Sequence, residues 1–308
     1  MTTDPPEQVI TPQQNVTSEN PPAEAPKLAL GLLVNPTIGR LPQPYPPMTS
    51  PILDLFLLQN KAAIITGAVL GIGFVVAEAY LQAGLLKLAI IDYAPNDAAV
   101  NKLRKVNPQA QVVFYNCDVR RALQVKDVIH QARDEFGVID IFVANAGIAW
   151  TSGAIVDQAD DDDAEWLNVF NIDVNGVYYC AKHIGKVFQQ QGFGSLIMTA
   201  LMSAHIVNVP NFQAPYNAAK LAVLHLGRSL AVEWANFARV NTVSPGYIGA
   251  ELLDFVPEDI KSTWYRLTPK GRQGHPRELC GAYLYLASDA ASFTTGSDIK
   301  VDGGYCLV

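Results

Sequence analysis

The chain has 308 residues, of which 49% are hydrophobic and 17% charged, and its net charge at pH 7 is −7. This composition is typical of a globular enzyme, and the acidic balance argues against nucleic acid as a partner. The four cysteines form no CxxC pair, the five histidines show no ligand spacing, and no apolar run reaches the roughly 20 residues that span a bilayer, so we expect no disulfide, no metal site and no membrane span.

Residues 1–51 form a proline-rich extension. Residues 1–47 hold 11 of the chain's 20 prolines and few aromatic residues. Such a segment buries too little apolar surface to offset the entropy of ordering, so we expect it to be largely disordered. It lacks the basic and apolar regions of a signal peptide and carries several acidic residues, which predicts a cytoplasmic protein.

Residues 52–308 alternate short apolar segments with helical patterns. This alternation predicts an α/β fold in which one parallel sheet is covered on both faces. No internal repeat or linker interrupts it, so we predict a single doubly wound, Rossmann-type domain with its site at the carboxyl ends of the strands. The predicted strands are Lys61–Thr66, Lys87–Asp92, Gln111–Asn116, Ile139–Ala144, Ser195–Thr199, Val240–Ser244 and Asp298–Val301.

A glycine-rich turn connects the first predicted strand to a helical pattern over residues 74–83. Gly67, Gly71 and Gly73 let the backbone approach phosphate groups, and the following helix supplies free N–H groups and a positive dipole. Their spacing differs from that of the GxGxxG fingerprint. The turn nevertheless predicts a site for the pyrophosphate of a dinucleotide.

Asp92 ends the second predicted strand. A carboxylate there can accept hydrogen bonds from both adenosine ribose hydroxyls and would repel a 2′-phosphate, although an aspartate can also simply end a strand. Binding of the 2′-phosphate usually requires a basic residue nearby, and none is present among Val69, Leu70, Tyr93 and Ala94. The sequence therefore favours NAD over NADP, which remains the alternative.

Tyr216 and Lys220 are four residues apart in a helical pattern, so their side chains share one face. A nearby ammonium stabilises tyrosinate and is expected to lower the phenol pKa from its ordinary value near 10. The pair forms a candidate acid/base device, although the same spacing also occurs by chance on exposed helices.

Four motifs occur in the order and spacing of the short-chain dehydrogenase/reductases, which residues 52–308 resemble. These are Thr66-Gly-x-x-x-Gly-Ile-Gly73, Asn145-Ala-Gly147, Tyr216-x-x-x-Lys220 and Pro245-Gly246. Further segments resemble the yeast branch of sorbose reductases, mannitol dehydrogenases and carbonyl reductases, among them Val143–Gly147, Asn175–Cys180 and Gln213–Asn217. That branch is mostly NADP-dependent, so the Asp92 interpretation runs against the resemblance.

The resemblance implies roles for individual residues at the cofactor. Asp118 would contact the adenine amine, Val119 would pack on the adenine ring, and the Ile248 backbone would pair with the nicotinamide carboxamide. The full predicted set is Gly67, Leu70, Gly71, Ile72, Gly73, Asp92, Asp118, Val119, Asn145, Ala146, Gly147, Tyr216, Lys220, Pro245, Gly246 and Ile248.

The resemblance also implies a catalytic group in which Tyr216 exchanges a proton with the substrate oxygen and Lys220 binds the nicotinamide ribose. A serine after the fifth strand would donate a hydrogen bond to that oxygen. Counted from the strand, the family serine falls at Leu201; counted thirteen residues before the tyrosine, it falls at Ser203. In an extended segment these positions lie about 6.6 Å apart, so Ser203 could serve only if the chain curls after Ala200.

Asp173 stands where many family members place an active-site asparagine, with Asn175 close by. We count Asp173 among the catalytic candidates as a tolerated variation. Five further residues follow strand ends and could line the substrate pocket, or could equally belong to the core or surface: Trp150, His205, Asn208, Tyr247 and Glu251.

Two functional hypotheses follow. The first is an oxidoreductase that transfers a hydride between a nicotinamide cofactor and a secondary alcohol or ketone, such as a polyol, a ketose or another carbonyl compound. The second is a cofactor-binding homologue with impaired or absent catalysis, kept for assembly or regulation, because Leu201 stands at the serine position counted from the strand. The resemblance also implies a homotetramer or homodimer.

Overall fold

Seven parallel strands form the central sheet, in the order β3-β2-β1-β4-β5-β6-β7. The structure is a computed structural model that describes residues 50–160, 163–249 and 257–308. All seven predicted strands are present, and only three of them differ at their ends from the prediction. The strands are β1 Ala62–Thr66, β2 Lys87–Asp92, β3 Gln111–Asn116, β4 Ile141–Ala144, β5 Ser195–Thr199, β6 Arg239–Pro245 and β7 Asp298–Val301.

Eight α-helices of the described ranges cover both faces of the sheet. Helices α1, α2 and α8 pack on one face and α3, α5 and α6 on the other, so the central strands β1, β4 and β5 are buried throughout. The helices are α1 Gly71–Gln82, α2 Asp97–Val106, α3 Ala122–Phe136, α4 Ala164–Phe170, α5 Val177–Gln191, α6 Ala214–Glu233, α7 Glu258–Leu267 and α8 Cys280–Ala287.

The strand order reverses between β1 and β4, which are neighbours in the sheet. In doubly wound sheets such a reversal opens a crevice at the carboxyl ends of the strands, where ligands bind. The glycine turn follows β1 and the Asn145-Ala-Gly147 segment follows β4, so both predicted motifs meet at this crevice.

The predicted extension, residues 1–51, lies outside the described residues except for its last two positions. Its disorder and its boundary with the folded domain therefore stay predictions. None of the helices in the described ranges combines the length and the hydropathy that a membrane span requires.

Candidate active site

The glycine turn has the backbone that its sequence predicts. Gly67 and Gly71 adopt positive φ angles of 65° and 56°, which L side chains rarely adopt. A Cβ on Gly73 would lie 2.2 Å from the carbonyl oxygen of Gly67, so no side chain fits there. Helix α1 begins at Gly71 rather than at the predicted Phe74, which places Gly71, Ile72 and Gly73 in its first turn, with Leu70 exposed just before it. Gly67, Gly71 and Gly73 therefore form an open concave turn, called the glycine cradle below, whose space side chains would fill.

Asn145 joins the ends of three strands around this cradle. Its Nδ2 donates to the carbonyl oxygens of Thr66 and Gly67 at 3.2 and 3.1 Å, and its Oδ1 accepts from the Thr199 hydroxyl at 3.1 Å. The Thr66 hydroxyl in turn accepts from the backbone N–H groups of Asn145 and Ala146. These bonds fix the mouth of the crevice between β1, β4 and β5.

Asp92 lies at the carboxyl end of β2, as predicted. Its carboxylate accepts from the backbone N–H groups of Val69 at 3.3 Å and of Ala94 at 3.5 Å. The side chain therefore connects the glycine turn to the loop after β2. A carboxylate has about four acceptor sites, so Asp92 can still accept from a ribose hydroxyl, and its role at the cofactor stays a prediction.

A basic residue that the sequence reading missed lies beside this loop. The Arg120 guanidinium lies 5.8 Å from the ring centroid of Tyr93, the residue directly after Asp92. Arg120 also donates to Asp118 through Nε and Nη2, at 2.9 and 2.8 Å, and these bonds hold the pKa of the Asp118 carboxyl below its ordinary value. The NAD prediction rests on Val69, Leu70, Tyr93 and Ala94, none of which is basic, whereas Arg120 comes from the loop after β3.

Val119, the predicted adenine contact, packs against the segment that precedes α5. A Cβ on Gly176 would lie 2.9 Å from the Val119 Cγ2 atom, so the two residues are in close contact. Val119 lies between Asp118 and Arg120 in the loop after β3, so this contact anchors that loop to the segment before α5.

Lys220 forms a buried ion pair with Asp173. The Nζ atom lies 2.9 Å from Asp173 Oδ2, and the two side chains are 3% and 0% exposed. Asp173 Oδ1 accepts from the Ile148 backbone N–H at 2.9 Å. A Cβ on Gly147 would lie 2.8 Å from Asp173 Oδ2 and 3.0 Å from Lys220 Nζ, so the glycine of the Asn145-Ala-Gly147 motif makes room for the ion pair.

Tyr216 lies one turn before Lys220 on α6, with the ammonium 5.3 Å from the centroid of its ring. Burial raises the pKa of the Tyr216 phenol, Lys220 lowers it and Asp173 raises it, and the net pKa is above the ordinary value. Lys220 thus acts in the predicted direction, but the predicted net lowering is wrong for this arrangement. Two effects that spacing does not reveal account for the difference: burying a charged phenolate is costly, and Asp173 compensates the lysine charge.

Burial also opposes the charge on Lys220, but Asp173 and Tyr216 outweigh that effect and the Lys220 pKa is raised. The lysine is therefore a permanent cation at neutral pH. Its charge is shared between a carboxylate on one side and the phenol ring on the other.

The chain curls where the serine position is in question. It stays extended through Leu201 and then forms a turn of 3₁₀ helix over Met202–Ala204. Ser203 is 8% exposed, and its hydroxyl has no hydrogen-bond partner among the described residues, whereas Leu201 is partly buried. The chain thus curls directly before Ser203, one residue later than the curl after Ala200 that the sequence requires, and the role of Ser203 stays a prediction.

The turn after β6 brings the predicted nicotinamide-side residues together. Pro245 pairs with Val301 of β7, and a Cβ on Gly246 would lie 2.6 Å from the Asp302 Cα atom. Ile248 is buried and bridges to Gly274. This loop is thus held between β7 and the segment that precedes α8.

Three of the other pocket candidates, Tyr247, Asn208 and Trp150, are held by contacts with neighbouring side chains. Tyr247 stacks on Trp264 of α7 at a centroid distance of 4.1 Å and meets Tyr305 edge to face, while Asn208 is 2% exposed and donates to Gln213. Trp150 is buried and packs near Tyr216. Glu251 lies outside the described residues, and within the described ranges no group of three His, Cys, Asp or Glu residues could hold a metal ion.

The chain is similar to a known protein family, to several named enzymes and to solved structures. A family model described as enoyl-(acyl carrier protein) reductase matches residues 67–306. A probable NADP-dependent mannitol dehydrogenase of Yarrowia lipolytica is 53% identical over 86% of this chain and 95% of its own length. The sorbose reductase of Candida albicans is 50% identical over 88% of this chain and 96% of its own length.

A solved structure, that of an NADPH-dependent 3-quinuclidinone reductase from Rhodotorula rubra, superposes with a TM-score of 0.80 at 38% identity. It covers 88% of this chain and 100% of the other. The superposition agrees with the fold described above. The chain therefore belongs to the short-chain dehydrogenase/reductase family, and it is an enzyme of the nicotinamide-dependent kind that acts on CH–OH groups.

Proposed function

We propose that this protein is an NADP(H)-dependent polyol dehydrogenase that interconverts a ketose and its polyol. The observation that carries the proposal is the Tyr216–Lys220 pair at the carboxyl ends of the strands, beside a glycine cradle that side chains would fill. The two relatives named as a mannitol dehydrogenase and a sorbose reductase support a polyhydroxy substrate.

The bound nicotinamide would supply or accept the hydride. Tyr216 holds the proton that goes to the carbonyl oxygen during reduction, and its phenolate takes the alcohol proton during oxidation. Lys220 stabilises the phenolate by its charge and is close enough to Tyr216 to bind a ribose hydroxyl on the same face of α6. Asp173 holds Lys220 in place through the buried ion pair.

Ser203 is the proposed hydrogen-bond donor to the substrate oxygen. Leaving a buried hydroxyl without a partner costs about 1–3 kcal/mol, so a substrate oxygen that accepts from it would recover that energy. Its position in a turn directly after β5, on the side of α6, supports this role. Leu201 contributes no donor.

The glycine cradle fits a pyrophosphate, since Gly67, Gly71 and Gly73 leave space for phosphate oxygens at the free N–H groups of α1. The relatives support NADP rather than the NAD that Asp92 suggested, because those named with a cofactor are called NADP-dependent. We therefore propose NADP(H), with Arg120 as the residue that binds the 2′-phosphate. Its guanidinium lies over Tyr93, next to the loop where the adenosine ribose is expected.

Arg120→Gln tests the cofactor proposal. We expect the KM for NADPH to rise about tenfold to a hundredfold, the equivalent of one charged hydrogen bond, while the KM for NADH changes little. Arg121→Gln is the matched control, because Arg121 is the next residue, is largely exposed and lies 3.7 Å from the same Asp118. Equal effects of Arg120→Gln on the KM for NADPH and for NADH would contradict the role of Arg120 at the 2′-phosphate. A parent enzyme that prefers NADH would contradict the proposal that the cofactor is NADP(H).

The substrate proposal is tested by oxidation of NADPH in the presence of L-sorbose, D-fructose and the aryl ketone acetophenone. We expect the ketoses to give the higher kcat/KM. A preference for acetophenone would place the protein with enzymes of apolar ketones, and no turnover of any ketone would favour the second hypothesis, a homologue without catalysis. That hypothesis gains no support from the relatives, which are named as dehydrogenases and reductases. A cytoplasmic location stays a prediction.

A further inference from the structure

His205 follows the turn that carries Ser203, and its side chain reaches back to the sheet. The Nε2 atom lies 2.8 Å from Asp298 Oδ2 and 3.4 Å from the Ser244 hydroxyl. The imidazole is 21% exposed and the Asp298 carboxylate 6% exposed. A solvent-exposed ion pair contributes little to stability. A hydrogen bond to a nearly buried carboxylate is stronger, so it fixes the positions of both side chains.

Asp298 is the centre of this cluster. Its Oδ1 accepts from the Thr242 hydroxyl at 2.6 Å and from the Ser244 hydroxyl at 2.8 Å, while Oδ2 is left for His205. Thr242 and Ser244 belong to β6, and Asp298 begins β7. The carboxylate is thus fixed by the sheet, and the imidazole is the group that attaches a loop to it.

The attachment connects two parts of the candidate site. On one side, the His205 backbone N–H donates to Met202 O, which closes the turn around Ser203. On the other side, Ser244 directly precedes Pro245 and Gly246, the proposed nicotinamide-side residues. The buried Asp298 carboxylate therefore fixes the position of the Ser203 turn relative to the loop that would contact the nicotinamide.

We propose that His205, held by Asp298, is a positioning residue that keeps the unpartnered Ser203 hydroxyl aimed at the substrate oxygen. The inference rests on the proposed function of Ser203. A 3₁₀ turn of three residues is short, and small shifts of a donor weaken a hydrogen bond that acts in the transition state. His205 itself touches neither the substrate nor the cofactor in this account.

A double-mutant cycle between His205→Ala and Ser203→Ala tests the proposal, with ketose reduction by NADPH as the readout. Because His205 acts through Ser203, we expect His205→Ala to lower kcat about tenfold without changing the KM for NADPH, and to have no further effect in the Ser203→Ala background. His205→Gln restores a side-chain N–H donor and should recover most of the rate. His225→Ala is the matched control, since His225 lies exposed on α6.

Three outcomes would overturn the inference. These are equal losses from His205→Ala in the parent and in the Ser203→Ala background, no loss at all, or no effect of Ser203→Ala itself. In the last case ketose turnover by the parent would still support the proposed function, so the two failures are distinguishable. Asp298→Asn is a second variant, should His205→Ala unfold, and it must show the same lack of additivity with Ser203→Ala.

Discussion

Lys220 lies between Tyr216 and Asp173, and only its proximity to Tyr216 can be predicted from spacing. Tyr216 and Lys220 are four residues apart, so helical geometry alone brings them together. Asp173 is far from Lys220 in the sequence and meets it only because α4 and the segment before α5 pack beside α6. The same reason applies to Arg120, which reaches Tyr93 across two loops. Contacts between residues that are distant in the sequence cannot be predicted from local spacing.

Asp173→Asn tests the electrostatic role of the ion pair. The Asp173 charge raises the pKa of the Tyr216 phenol, so its removal should lower that pKa. In polyol oxidation, which needs phenolate, the rising limb of the pH profile should move to lower pH; in ketose reduction, which needs phenol, the fall in rate should begin at lower pH. The pH dependence of kcat checks this.

Asp127→Asn is the control for that experiment, because Asp127 lies exposed on α3. An upward shift of the pH profile in Asp173→Asn, or the same shift in the control, would contradict the assigned role. Lys220→Arg in the same assay would show whether a cation at this position is sufficient, and its profile should remain close to that of the parent if it is.

At the scale of elements, prediction from the sequence was most accurate for the strands. Their continuous apolar runs show that both faces are covered, and four of the seven have the predicted bounds. The start of α1 was predicted three residues late, at Phe74 instead of Gly71. Glycine has low helix propensity, so a local reading excluded Gly71 and Gly73 from a helix that begins with them.

Gly73→Ala tests the cradle as an element. The new Cβ would lie 2.2 Å from Gly67 O and 2.7 Å from Asn145 Nδ2, so the turn must open and lose its fit to a pyrophosphate. We expect the affinity for NADPH, measured by calorimetry, to fall at least tenfold. Gly281→Ala on α8 is the control, because nothing lies within 4 Å of its Cβ position. Unchanged affinity in Gly73→Ala would contradict the cradle.

At the scale of the whole molecule, the alternation of strands and helices correctly predicts one doubly wound parallel sheet. The predicted preference for NAD is the part of the site that the relatives support least, because those named with a cofactor are called NADP-dependent. Asp92 alone predicts NAD, but in the structure its carboxylate accepts from two backbone N–H groups and the Arg120 guanidinium lies beside the next residue, Tyr93. Specificity for a phosphate depends on the sum of nearby charges rather than on one residue.

Association into a homodimer or homotetramer is a further prediction at this scale. Tyr178 on α5 and Leu221 and Val232 on α6 are exposed apolar residues that a second copy could cover. Light scattering after gel filtration should give two or four times the 33.4 kDa of one chain, and Leu221→Glu should shift the mass toward that of the monomer. A mass of one chain for the parent would contradict this prediction.

The central claim is that the Tyr216 phenol carries the proton in ketose reduction, and Tyr216→Phe tests it most directly. The variant removes one hydroxyl and keeps the ring against which Lys220 lies. Steady-state reduction of L-sorbose and D-fructose with NADPH should show kcat lower by about 10²-fold to 10⁴-fold, the range for loss of a general acid, with the affinity for NADPH preserved. A Tyr216→Phe enzyme with kcat within a factor of two of the parent would contradict the account.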